Sequence, residues 1–342
     1  HDFYTTLLKA TCAFDRGDDT SGYTDLKEAF ALGREHGHLG TYGDIPADTA
    51  RLCARAIEAG IEPEYAKWLI RKRRLSLEPP PYNLEGWPWP VKLYTLGRFS
   101  ISIDDKAITF PKKAQNKPLE VLKTIIACGG SNVSDTYVAD TLWPDAEGDL
   151  AMQAFATNLH RLRKLLGRHD TVILQNGMLA LDKHLCWVDA RAFEYYLTRA
   201  DALWEKASTN RELDEFSDLV FSALELYRGE FLPDEESIPD VMAMREYLHT
   251  KFLKALSRMG EHLVKTGQYD RAQEAIECGL DIDTCAEDLY RLLMICMHRQ
   301  GMKTEALTVF ERCKRTLHTQ LGATPSADTE ALARTIRAGK TH

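Results

Sequence analysis

The chain contains no H-E-x-x-H and no G-x-S-x-G, so it lacks both the zinc-protease helix and the nucleophile elbow of the α/β-hydrolases. Its eight cysteines, at 12, 53, 128, 186, 278, 285, 296 and 313, never form C-x-x-C, which removes the common zinc and redox spacings. Most sit among apolar neighbours, as in Ile125-Ile126-Ala127-Cys128. That is the setting of buried, reduced thiols and points to the cytoplasm. No apolar run approaches the ~20 residues of a membrane span, and no signal-peptide pattern opens the chain, so a soluble protein without a membrane partner is expected. Gly339-Lys340-Thr341 imitates the end of a phosphate-binding loop, but the first glycine of such a loop would fall at Arg334 and no strand precedes it. His160 and His169 lie among cations, not among carboxylates at ligand spacing. No catalytic residue, cofactor or metal site is therefore expected. A surplus of cations is also missing: 43 Lys/Arg stand against 51 Asp/Glu, a net charge of −8. Any contact with nucleic acid must come from a local patch.

At 342 residues there is room for two or three domains. Residues 3–35 and 48–74 carry apolar residues at helical spacing, broken at Gly17, Gly37, Gly40, Gly43, Pro46 and Gly60. Short helices joined by tight turns describe the end piece of a helical repeat, 1–77, and with His1 in place of Met they predict further sequence upstream. The run Lys67, Arg71, Lys72, Arg73, Arg74 can complement a helix C-terminus and need not touch phosphate. Residues 78–90, EPPPYNLEGWPWP, read as a stiff, extended connector whose indoles lie on a surface.

From 91 to 190 the pattern changes. Three short strands, at 91–97, 98–103 and 107–110, open a small antiparallel sheet. A helix follows at 117–128 with Leu119, Leu122, Ile125 and Ile126 inward and Gly129-Gly130 as its stop. A second helix starts behind Ser134 as N-cap and ends at Trp143-Pro144. The third, Leu150 to Arg168, gathers Ala151, Phe155, Leu159, Leu162 and Leu166 within an arc of about 80° and leaves Gln153, Thr157, His160 and Lys164 on the opposite face, flanked by Arg161, Arg163 and Arg168. Residues 150–169 hold four Lys/Arg and no acid, whereas Asp140, Asp145, Glu147 and Asp149 precede the helix, partly as favourable charge at its N-terminus. Residues 171–182 form a hairpin around Asn176-Gly177. Sheet, three helices and hairpin make a winged helix-turn-helix.

These residues, VKLYTLGRFSISID, KPLEVLKTIIACGGSNVSDTYVADTLWPDAEGDLAMQAFATNLHRLRKLLG and LCWVDARAFEYYL, strongly resemble the OmpR-like winged helix of bacterial activators of the antibiotic-regulatory-protein (SARP) type. The resemblance implies that the third helix enters the major groove while the hairpin wing lies against the neighbouring minor groove or backbone. Carried onto this sequence, Gln153, Thr157, Asn158 and Arg161 would face bases, and Lys112, Lys113, Lys117, Arg163, Lys164 and Arg168 would face phosphates. The wing, Leu174 to Met178, has no Arg or Lys, so minor-groove reading by a wing cation is not expected.

Residues 191–342 show a period of 34: Gly267 and Gly301 are so spaced, as are Ala272 and Ala306, which is the tetratricopeptide period. Gly260, Tyr269 and Phe310 fall on repeat positions, and helices at 190–206 and 211–228 form a first, divergent pair. EFLPDEESIPDVMAMREYLHTKFLKAL and TVFERCKRTLHTQLGATPSADTEAL resemble the bacterial transcriptional activation domain (BTAD) that follows the winged helix in this family. Similar proteins sometimes carry an upstream nucleotide-hydrolysing module of the MalT-like kind, so the resemblance also implies the C-terminal part of a larger regulator.

The expected fold is thus mainly α with a small β component: a helical-repeat piece, a linker, a winged helix and a tetratricopeptide-like domain. The expected function is sequence-specific transcriptional activation. Its partners would be double-stranded DNA, RNA polymerase and a second protomer on repeated sites. The alternative is a helical-repeat scaffold whose winged helix makes protein contacts, but such a scaffold has no need of four cations and no acid on one helix.

Overall fold

The computed structural model describes residues 2–38, 45–108 and 116–339. The chain forms two compact units, one of residues 1–95 and 99–192, the other of 96–98 and 193–342. The boundaries read from sequence at 77/78 and 90/91 both lie inside the first unit.

That unit begins with α1 (Asp2–Asp15), α2 (Asp19–His36), α3 (Pro46–Glu58) and α4 (Pro63–Arg73). Gly17, at φ 75°, ends the first helix, and the Asp18 side chain caps the second by accepting from the Ser21 N–H at 3.1 Å. Three cations of the α4 run have partners: Lys67 pairs with Glu64 (2.8 Å), Arg71 with Asp105 (2.9 Å), and Arg73 donates to the Thr49 hydroxyl (3.4 Å). Burial alone would raise the Asp105 carboxyl. Lys92 at 2.8 Å and Arg71 outweigh it and hold the group below its ordinary value.

Residues 78–90 are not extended. They fold into successive turns, with Leu84 N donating to Pro81 O (2.9 Å) and Trp87 N to Leu84 O (3.0 Å). The physical reason is the tryptophans. Trp87 and Trp89 are buried, and the Trp89 indole N–H reaches Leu84 O at 3.0 Å while Tyr82 stacks on the Trp89 ring, so the segment curls back on itself over Trp89.

The first sheet has the order β3-β2-β1-β7, from β1 (Val91–Tyr94), β2 (Ser100–Ile103), β3 (Lys106–Ile108) and β7 (Cys186–Val188). The antiparallel meander agrees with the alternation in sequence; the parallel pairing of β7 with β1, Val91 opposite Cys186, does not appear in any local pattern. The helices are α5 (Asn116–Ala127), α6 (Asp135–Leu142) and α7 (Gly148–Leu165). α7 packs on both of the others and buries Ala151, Phe155, Leu159 and Leu162. In α5 Leu119 is half-buried and Val121 takes the fully buried place. β4 (Val133–Ser134), β5 (Val172–Gln175) and β6 (Met178–Leu181) form the wing sheet, ordered β4-β6-β5. Asn176 and Gly177 both have positive φ (52° and 75°), the requirement of the tight turn that matches strand twist.

α8 (Asp189–Lys206) starts in the first unit and continues into the second, which contains α9 (Asn210–Leu226), α10 (Pro239–Lys265), α11 (Tyr269–Ile282), α12 (Glu287–Arg299), α13 (Lys303–Leu321) and α14 (Ala327–Arg337). Gly267 and Gly301, at φ 77° and 81°, form the α10/α11 and α12/α13 turns, so the 34-residue period is the spacing of two helix-turn-helix units. Gly260 lets these helices approach closely: a Cβ there would lie 3.1 Å from Leu292 Cδ1 and 3.3 Å from Ile276 Cγ1.

Candidate nucleic-acid interface

The winged helix presents one outward stripe of α7 built by the helical repeat itself. With Ala151, Phe155, Leu159 and Leu162 committed to the core, the residues opposite must face solvent. Gln153, Thr157, His160, Arg161 and Lys164 are all exposed. Among the described residues, the side chains of Gln153, Arg161 and Lys164 have no hydrogen-bond or ion-pair partner, whereas Thr157 Oγ1 donates back to Gln153 O at 2.9 Å. The stripe thus offers an amide, a hydroxyl and two cations in order along about three turns. At its N-terminal end Leu150 is 57 % exposed, an apolar group the sequence reading passed over. Its spacing of three from Gln153 and seven from Thr157 was the available signal.

Two of the expected DNA-facing residues are elsewhere. Asn158 is 8 % exposed, and its side-chain N–H donates to Ala154 O at 2.8 Å, so it cannot face a base edge from this helix surface. It lies four residues before Leu162 and seven after Ala151, on the border of the apolar arc. Arg163 is turned inward as well. Its Nε and Nη2 both donate to Val172 O, at 3.0 and 2.8 Å, fastening α7 to the first strand of the wing instead of offering the fork to a phosphate. Arg163→Ala is expected to destabilise the protein by about 1–3 kcal/mol, because the carbonyl loses both donors. Thermal or denaturant unfolding would show it, and an unchanged midpoint would mean that water replaces the guanidinium without cost.

The remaining cations are dispersed. Lys117 pairs with Glu120 (2.8 Å), donates to Leu142 O (3.2 Å) and lies over the Trp143 ring (5.6 Å), which ties it to the α5–α6 contact. Lys112 and Lys113 lie outside the described residues. Arg168 is exposed but not helical. α7 stops at Leu165, Gly167 takes φ 70°, and Arg168 follows in extended backbone at φ −144°, leaving the line of the stripe.

The wing has the opposite character. Ile173, Leu174 and Met178 are exposed, at 38 %, 38 % and 48 %, around an uncharged Gln175-Asn176-Gly177 tip. No Arg or Lys stands on it.

Residues 188–337 match the family described as the bacterial transcriptional activator domain. Over 230 residues the chain is 26 % identical to the regulatory protein DnrI of Streptomyces peucetius, covering 64 % of this chain and 83 % of that one. Over 218 residues it is 24 % identical to the regulatory protein AfsR of Streptomyces griseus, covering 63 % of this chain. The chain spans about a fifth of the length of AfsR, 22 %. Among solved structures, EmbR of Mycobacterium tuberculosis, determined in complex with a low-affinity phosphopeptide, superposes with a TM-score of 0.57 at 20 % identity, over 73 % of this chain and 66 % of that one. The stretch 188–337 is thus like the bacterial transcriptional activator domain, and the chain resembles regulatory proteins over about two thirds of its length. Its similarities are to regulatory proteins, and the likeness to EmbR is one of fold. No described helix is long and apolar enough to cross a membrane. The signature Val188-Asp189-Ala190 at the join of the two domains also acquires a physical reason. Asp189 is buried and accepts from Thr95 N–H (2.8 Å), Thr95 Oγ1 (2.6 Å) and its own neighbour Ala190 N–H (2.7 Å), anchoring the end of β1 to the start of α8.

Proposed function

We propose that this chain is a sequence-specific DNA-binding transcriptional activator of the SARP/BTAD type acting inside the cell. In this reading α7 lies in the major groove and the C-terminal repeat domain contacts RNA polymerase or a second protomer on repeated sites. The observation that carries it is the exposed row Gln153, Thr157, Arg161, Lys164, two of whose members are cations without an internal partner in a chain that is acidic overall. An amide and a hydroxyl near the start of a groove helix reach base edges, Arg161 can hold O6 and N7 of one guanine, and Lys164 comes nearest the backbone. Leu150 adds an apolar group of the kind that meets a thymine methyl. The uncharged wing is suited to van der Waals contact with the duplex, not to insertion of a cation. Nothing in the proposal requires catalysis or a cofactor.

Binding to duplex DNA is expected to fall steeply with salt, since each phosphate neutralised by Lys or Arg releases a counterion, with a slope of about −0.9 per contact on B-DNA. Equilibrium titration of promoter fragments between low and physiological salt measures that slope. Salt-insensitive binding, or none to any promoter fragment, would favour the scaffold reading instead.

A further inference from the structure

The first unit holds a cavity of about 570 Å³ where the end of α4 and the Pro/Trp segment meet the winged helix. That size lies within the range of small-ligand sites. Its apolar part comes from Leu75, Trp87 and Trp89, all buried, with the half-buried Leu77 and Leu185 beside them. Two arginines border it from different parts of the sequence. Arg74 closes α4 in the left-handed conformation (φ 52°), and Arg168 follows the Gly167 turn after α7. Both are exposed, and neither side chain has a hydrogen-bond or ion-pair partner among the described residues.

The other charged groups at the cavity are nearly balanced. Arg71 is held by Asp105 at 2.9 Å and His184 by Glu78 at 2.8 Å, so neither is available without breaking a contact. Asp104 contributes one carboxylate. Two uncommitted guanidiniums against one carboxylate leave an excess of positive charge over an apolar floor.

We propose that this cavity is a binding site for an organic anion, with Arg74 and Arg168 holding its charged group and the leucine and tryptophan side chains its apolar body. Planar guanidinium forks bind carboxylate, sulfonate and phosphate oxygens in pairs, and the two together recognise an anion that either alone would leave half-solvated. Arg168 follows α7 closely, so on the proposed DNA-binding reading the site lies beside the helix that enters the groove.

The test uses 8-anilinonaphthalene-1-sulfonate, an aromatic sulfonate whose fluorescence rises when its rings leave water, with the full chain. Saturable binding is expected. Arg74→Gln combined with Arg168→Gln should weaken it at least about tenfold, two charge-assisted contacts being lost. Lys72→Gln, which removes a cation two residues before Arg74 but outside the cavity lining, should leave it unchanged. Millimolar pyrophosphate should displace the probe from the wild-type chain. Circular dichroism of the double variant separates loss of the site from loss of the fold, and Arg168→Gln alone, at a position outside any helix, serves if the double variant unfolds. An unchanged affinity in the arginine variants, an equal loss in Lys72→Gln, or no competition by pyrophosphate overturns the proposal.

Discussion

Arg161→Ala is expected to cost about 1–3 kcal/mol on the best DNA site and to flatten preference at one base-pair position. The residue sits on the exposed stripe, two turns beyond Gln153 and one beyond Thr157, with no partner inside the described protein to compete for its fork. Removing it should therefore change recognition and leave the fold alone. Lys164→Ala forms the contrast. Three residues further along, it should weaken every sequence alike and shallow the salt slope by about one unit. The measurement is affinity for a panel of sites carrying single base-pair substitutions. If Arg161→Ala weakens all sites uniformly, the reading residue is another member of the row, and Gln153 becomes the first to examine. With Asn158 buried, the candidate base-facing set is Gln153, Thr157 and Arg161, so the row has few substitutes and the effect should be concentrated.

The largest loss of stability is expected from Asp189→Ala. This carboxylate is 4 % exposed, and its removal leaves the Thr95 N–H and hydroxyl without the acceptor they share. Each buried donor left unpaired costs about 1–3 kcal/mol, so a total of about 3 kcal/mol or more follows. Denaturant unfolding measures it. Asp189→Asn should recover part of the loss, since the amide oxygen keeps one acceptor for Thr95. A midpoint near wild type for the alanine variant would show that solvent enters the join of β1 and α8 freely. Together the two substitutions separate a residue proposed to read DNA without supporting the fold from one expected to support the fold without approaching DNA.

How far the sequence alone reaches differs from element to element. The helices at 3–35 and 48–74 were legible because their apolar spacing is local and their Gly and Pro breaks are local too. The same holds for Ser134 as a cap, which accepts from Tyr137 N–H, and for the Asn176-Gly177 turn. The 34-residue period located the turns of the C-terminal domain through Gly267 and Gly301, since left-handed backbone favours glycine at each of them. The polar row on α7 followed from periodicity. Asn158 and Arg163 were misplaced because both lie at the borders of the apolar arc. At a border the decision passes to whatever packs alongside: the Ala154 carbonyl within reach of the Asn158 amide, and the Val172 carbonyl brought to Arg163 by the wing.

Side-chain spacing along one helix or strand is determined by the sequence by itself, for the backbone repeats every 3.6 or 2 residues whatever surrounds it. The tertiary structure alone decided the long-range pairings: β7 beside β1, Asp189 beside Thr95, the Trp187 indole donating to Tyr82 O, and Arg74 and Arg168 at one cavity although 94 residues apart. The reason is that each of these unites groups that no local repeat relates. Their meeting depends on how separately formed elements bury their apolar faces together, and that follows from the packing of the whole unit.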